Sequence, residues 1–423
     1  MKNTSLLLSL TILTLSLFGQ DRSLKNYDHV YKHNIKSVKF HLNGAFLSIP
    51  IVNLQSSARL VLSFDDMNED VTDYTYTIAH CNQDWKPSDL EEMDYMDGFN
   101  GERINDYDFS FNTLTDYTHY DLLLPNDDIR WLVSGNYIVH VFSDDEDQEP
   151  VITRRFMVSE SIMRIIPDMV SASKVGKYKT HQELDFVVDF KGLDIDNTQR
   201  EITACVLQNG RWDNAITGLK PLFTKGDNML FDYQDKITFP AGKEFRYLDI
   251  RTFRYNREGI ADILRMDTYW DVVAQKEESR AYQNFQTYND INGNFVIESL
   301  DDNDADLKGD YAKVLFAAGI GQELLDTDVY VVGAMTDWEL KKEFKMVYNP
   351  AVGSYVTQPF LKQGYYNYYY ATVPAGEKSM NFEEFEGNWH QTENSYTILV
   401  YYRPFGARHD RLAAVRTIDS NAQ

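Results

Sequence analysis

The sequence predicts an all-β protein built from several sandwich domains, and three observations carry that reading. The chain holds 28 Tyr and 24 Phe in 423 residues, and these side chains favour pleated, half-buried strands over helices. Apolar and polar residues alternate with period two in run after run, separated by turn-rich stretches such as DDMNED and PNDD. The length also exceeds what one hydrophobic core sustains, and at about 100 to 150 residues per domain it corresponds to roughly three.

The elements follow in order. Lys2, the apolar run Leu6 to Phe18, and then Gly19 and Gln20 read as the charged, hydrophobic and cleavage regions of a signal peptide. The run falls short of the roughly 20 residues a spanning helix needs. No Cys closes it to accept a lipid, so a cleaved, non-lipidated, exported protein is expected. Strand-like runs at Leu60 to Phe64, Tyr74 to His80, Tyr137 to Phe142 and Thr153 to Val158 define a first sandwich over residues 21–160. In DYDFSFN, Tyr107, Phe109 and Phe111 alternate with Asp106, Asp108 and Ser110, the pattern of a half-buried strand. PSDLEEM is the one short helix expected, with Pro87 at an early position and acids in its first turn. Runs at Glu183 to Phe190, Ile202 to Leu207, Leu230 to Tyr233, Glu244 to Tyr255 and Asp267 to Val273 suggest a second sandwich, residues 161–290. A third, residues 291–423, collects Phe295 to Glu298, Tyr311 to Ala317, Val329 to Gly333, Ser354 to Leu361, Tyr365 to Ala371 and Tyr396 to Arg403.

Charge and motif content narrow the function. With 65 acidic against 41 basic residues the net charge is −24, which disfavours nucleic acid and anionic membrane surfaces as partners. His80 and Cys81 are adjacent on a strand and point to opposite faces, and no paired Cys/His spacing accompanies them or His119. Asp302, Asp304 and Asp306 imitate the start of a calcium loop, but Leu307 stands where Gly is required and Lys313 where the bidentate Glu belongs. No phosphate loop, nucleophile elbow, zinc-protease or dinucleotide motif is present. The expectation is a non-enzymatic protein without cofactor or metal, whose function lies in its surfaces. Cys81 and Cys205 fall in different predicted domains and are expected as separate buried thiols.

The string HCNQDWKPSDLEEMDYMDGFNGERINDYDFSFNT, His80 to Thr113, closely resembles the first domain of the plug protein of the type IX secretion system. The resemblance continues through HYDLLLPND (His119 to Asp127), SGNYIVHVF (Ser134 to Phe142) and PVITRRFMVSE (Pro150 to Glu160). It returns in LKQGYYNYYY (Leu361 to Tyr370) and in QTENSYTILVYYRPFGARHDRL (Gln391 to Leu412). It implies a periplasmic protein that reversibly closes the periplasmic mouth of an SprA-type outer-membrane translocon barrel when no cargo is in transit.

Val329 to Asn349 resembles the opening of glycogen-binding-like early-set modules, so three tandem immunoglobulin-like or early-set sandwiches are expected. The alternative function is an exported glycan-binding protein that uses this third domain, with Trp338, Trp389 and the tyrosines of Tyr365 to Tyr370 as stacking material. For the barrel partner, the candidate contacts are Trp85, Tyr95, Met96 and Phe99, aromatic and apolar groups set among acids in one loop. Local packing that holds this loop is the competing reading of the same residues.

Overall fold

Alternation in the sequence becomes strands, and the strands gather around three main hydrophobic cores. The computed structural model describes residues 23–68, 70–145 and 148–421. The expected signal peptide, residues 1–20, lies outside them.

The principal strands of the first unit are β1 (Ile35–Leu42), β2 (Ile51–Asn53), β3 (Leu60–Asp66), β4 (Tyr74–Cys81), β5 (Glu102–Arg103), β6 (Asp106–Phe109), β7 (Thr118–Leu124), β8 (Gly135–Ser143) and β9 (Pro150–Ser159). One sheet runs β1-β3-β7-β6, and facing it are β9, β8, β4 and β5. Inward residues such as Leu60, Leu62 and Phe64 from one sheet meet Tyr76, Ile78, Tyr137 and Phe156 from the other. Phe64 stacks on Tyr120 with centroids 5.1 Å apart, and Tyr74 meets both edge-on, an arrangement that adds to simple burial. The helix of this unit is a single turn, Glu92–Tyr95, later than PSDLEEM suggests. Pro87 instead forms a bridge with Cys81, and Ser88 bonds back to His80, so the chain stays extended there.

The second core takes β10 (Arg164–Val170), β11 (His181–Asp189), β12 (Ile202–Gln208) and β13 (Asn228–Phe231). The third takes β14 (Arg246–Asp249), β15 (Trp270–Ala274), β16 (Tyr311–Gly319), β17 (Thr327–Val332) and β18 (Gly364–Pro374). The last two strands, β19 (Ser395–Tyr402) and β20 (Arg411–Asp419), return to the second core.

This corrects the boundaries at residues 161–290 and 291–423. Tyr396 to Arg403 was expected in the third domain, but β19 pairs antiparallel with β12 from Ile202↔Tyr402 to Gln208↔Tyr396. Glu244 to Tyr255 and Asp267 to Val273 were expected in the second, yet β14 and β15 sit in the third sheet. The physical reason is β12. All seven of its residues are buried, so both edges need partners; the strand Ile216–Leu219 takes one edge, and the final hairpin supplies the other through β19. The third unit is therefore an insertion within the second.

β20 also meets β9 of the first unit in parallel at Ser159↔Leu412, continued by Glu160 N–H to the Leu412 carbonyl (3.0 Å). One sheet thus runs without a break from the first core into the second.

Candidate partner-binding surface

The loop after β4 is fixed from within. Asn82 N–H donates to the Lys86 carbonyl (2.8 Å), and His80 Nδ1 lies 2.8 Å from Ser88 Oγ. Burial pushes the His80 imidazole down to about 4, so it stays neutral and serves as a hydrogen-bonding brace. Trp85, held at a positive φ of 61°, is buried edge-on against Trp212 of the second unit (4.9 Å), with the Arg155 guanidinium 5.2 Å from its ring. Tyr95 is buried with its hydroxyl donating to the Ile78 carbonyl (2.9 Å), and Met96 is part of the first core. These three of the four expected contacts are corrected. They face the protein's own interior because a short helical turn and a two-residue strand fold the loop back over β4. Phe99 alone is open, with 76% of its surface exposed.

Where the units meet, charges are buried in pairs. Asp65 at the end of β3 is fully buried; its carboxylate takes Lys362 Nζ at 2.7 Å, His119 Nδ1 at 2.6 Å and the Tyr311 hydroxyl at 2.5 Å. Burial opposes ionisation of Asp65, yet Lys362 and His119 hold its carboxyl below the usual range. Burial likewise opposes the imidazolium, but Asp121 and Asp65 raise His119 to about 10. Asp65 and His119 belong to the first unit, Lys362 and Tyr311 to the third. Arg154–Asp337 (3.0 Å) and Lys36–Glu343 (3.1 Å) join the same two units. No periodicity announces this cluster; Asp65 and Asp66 read as the start of the turn stretch DDMNED, and Lys362 falls between two predicted strands.

Cys81 of the first unit and Cys205 of the second, expected as separate buried thiols, contribute to one small core where the two units meet, with Trp85, Ile138, Leu399 and Leu412. Both are free thiols, and burial pushes each up to about 12. A cavity of about 900 Å³ opens where all three units meet, lined among others by Lys39, Arg154, Arg211 and Trp338. Its arginines are already matched, Arg154 to Asp337, Arg155 to Asp28 (2.9 Å) and Arg211 to Asp213 (2.6 Å).

Asp304 caps the turn Ala305–Lys308 by accepting from Leu307 N–H (3.2 Å), and Asp302 pairs with Lys308 (3.0 Å). That is a helix-start loop, and no cluster with metal-ligand geometry occurs among the described residues. Trp338 lies under the Arg211 guanidinium (3.9 Å) and Trp389 against Phe285 (6.1 Å). Tyr366, Tyr368, Tyr369 and Tyr370 are all buried, because β18 is an interior strand covered on both faces. The tyrosine run is therefore core, and nothing in this arrangement favours glycan stacking. No helix among the described residues is long and apolar enough to cross a membrane.

The class the described residues define is an all-β protein of several sheets, with buried ion pairs joining its first and third units. Residues 35–160 match the family model described as Type 9 secretion system plug protein 1st domain. A hypothetical protein from Parabacteroides merdae ATCC 43184, known from a crystal structure, is 34% identical, with 94% of this chain and 100% of that chain covered at a TM-score of 0.89. The chain belongs to the family of the Parabacteroides protein over its whole length, and its residues 35–160 are similar to the plug first domain. Collagen adhesin from S. aureus (7% identity, 91% of this chain and 92% of that chain, TM-score 0.11) and Escherichia coli alpha-2-macroglobulin (10%, 91% and 34%, TM-score 0.16) superpose too poorly to bear on the fold. Comparison with curated proteins gives no match.

Proposed function

We propose that this chain is the periplasmic plug of a type IX secretion translocon, a non-enzymatic protein that seats reversibly against the periplasmic opening of an SprA-type outer-membrane barrel when no cargo is in transit. The observation that carries the reading is the match of residues 35–160 to the plug first domain. The build of the molecule supports it. A seal against a wide pore needs bulk that does not deform, and here a sheet continuous between two units and buried ion pairs between the first and third restrain relative motion. Reversibility asks for an interface of moderate size, which leaves room for release.

In this reading the mature chain is exported to the periplasm, cleaved near Gly19 or Gln20 and free of lipid. Affinity isolation of the tagged mature chain from detergent-solubilised envelope tests the partner. A large outer-membrane barrel identified in stoichiometric amount is the expected result; recovery of the chain alone, under conditions that keep the barrel intact, would count against the plug.

A further inference from the structure

The open edge of the first unit has a chemistry of its own. Strand β6 (Asp106–Phe109) is the last strand of its sheet, paired on one side with β7 only. DYDFSFN was expected to be half-buried, but every residue of β6 is exposed. Tyr107 leans on Tyr120 of the core (5.6 Å), and Phe109 and Phe111, on the same face by strand periodicity, remain 58% and 67% exposed. Asp106 and Asp108 occupy the other face, opposite Asp121 and His119 of β7 respectively.

The backbone is equally directional. Ser110 N–H donates to the Tyr117 carbonyl (2.9 Å), which by the two-residue period puts Asp108 and Asp106 in the hydrogen-bonded pairs with β7. Tyr107 and Phe109 then form the non-bonded pairs, and their N–H and C=O groups point to the open edge. The next member of that series, Phe111, already uses its outward N–H on the Leu307 carbonyl of the third unit (2.8 Å). The edge thus accepts a main chain at one end and leaves two residues open at the other.

Resting on the plug reading, we propose that β6 is the contact edge, and that it takes one extended segment of the translocon by strand addition. The segment it fits alternates apolar side chains, to cover Tyr107 and Phe109, with lysine or arginine, to meet Asp106 and Asp108. Edge strands are commonly protected from promiscuous pairing by short length and charge. Both protections are present in β6, and the aspartates also select, since an uncharged or acidic strand would leave them unmatched. The exposed aromatic stripe has no part in such protection and supplies the apolar half of the contact.

The test uses the full mature chain and two kinds of variant. Phe109→Pro removes an outward N–H without touching a bond to β7. D106K/D108K reverses the charge and leaves the aromatics. Leu325→Ala, at an exposed apolar residue of the third unit, is the control. Two readouts are taken: recovery of the identified barrel from solubilised envelope, and anisotropy of a labelled synthetic peptide of alternating lysine and valine, against its glutamate counterpart. Wild type and Leu325→Ala should retain the barrel and prefer the lysine peptide at least tenfold. Both edge variants should lose at least tenfold in each readout, with D106K/D108K shifting preference toward the glutamate peptide. If the barrel is never recovered but the lysine peptide binds and both variants abolish it, the plug reading fails and the edge assignment stands. If folded edge variants hold the barrel as wild type does, or wild type shows no preference between the peptides, the edge assignment is overturned.

Discussion

Replacing Lys362 by Met should destabilise the protein far more than a surface lysine would. Lys362 Nζ is within 2.7 Å of both the Asp65 carboxylate and the Asp306 carbonyl and 4.1 Å from the Tyr117 ring centroid, in a site where neither charge of the pair reaches solvent. Removing one partner of a buried pair costs about 3–5 kcal/mol, because the other charge is left without compensation. His119 and Tyr311 still hold Asp65, which places the expectation near 3 kcal/mol at neutral pH, at the lower end of that range. Urea unfolding of Lys362→Met, Asp65→Asn and the double variant measures it. The double variant should be more stable than the sum of the singles predicts by at least about 1 kcal/mol, since it leaves no orphaned charge. A loss under about 0.5 kcal/mol in Lys362→Met, or additivity of the singles, would refute the claim that this pair ties the first unit to the third.

The same cluster sets a pH dependence. His119 is raised to about 10, so its contribution is complete below its unfolded value near 6.5 and is lost as pH rises through about 10. Urea midpoints of wild type should therefore fall across that window relative to His119→Gln; parallel profiles would contradict the pairing. Glu244 behaves oppositely to an ordinary carboxylate. Burial first, and then Asp290, raise it to about 7, and its Oε2 has no hydrogen-bond partner among the described residues. Its protonated form stabilises at low pH and that stabilisation is lost as pH rises through about 7, so Glu244→Gln should raise the melting temperature at pH 8 and change little at pH 5. An equal effect at both values would show that Glu244 does not titrate there. Tyr95→Ala should cost about 3–5 kcal/mol, as truncation of a core aromatic does, whereas Phe99→Ala should stay within about 0.5 kcal/mol. Equal losses by chemical denaturation would misplace one of the two rings.

The sequence carried the fold class and the strands because alternation is local. Leu60 to Phe64 and Tyr74 to His80 read as strands from their own residues and are β3 and β4. Which core a strand joins is not local. β19 looks like any tyrosine-rich strand, and only the demand of β12 for a second partner sends it back across the inserted third unit. Burial of aromatics was not legible for a related reason. Trp85, Tyr95 and Met96 sit among acids and read either as partner contacts or as local packing, and a neighbouring unit and the loop's own turn cover them. Tyr107, Phe109 and Phe111 show a half-buried pattern, yet β6 lies at a sheet edge, and periodicity does not encode whether anything covers that edge. The plug resemblance was legible because it rests on a dense string of residue types, His80 to Thr113, within the matched span.

The most direct test of the central claim is the permeability of the outer membrane in a strain lacking this chain. Uptake of a large polar antibiotic is measured beside secretion of a folded cargo protein. The plug account predicts that secretion continues while the antibiotic enters, and that the wild-type gene restores the barrier. An intact barrier in the deletion strain, with the translocon present at its normal level, would contradict it.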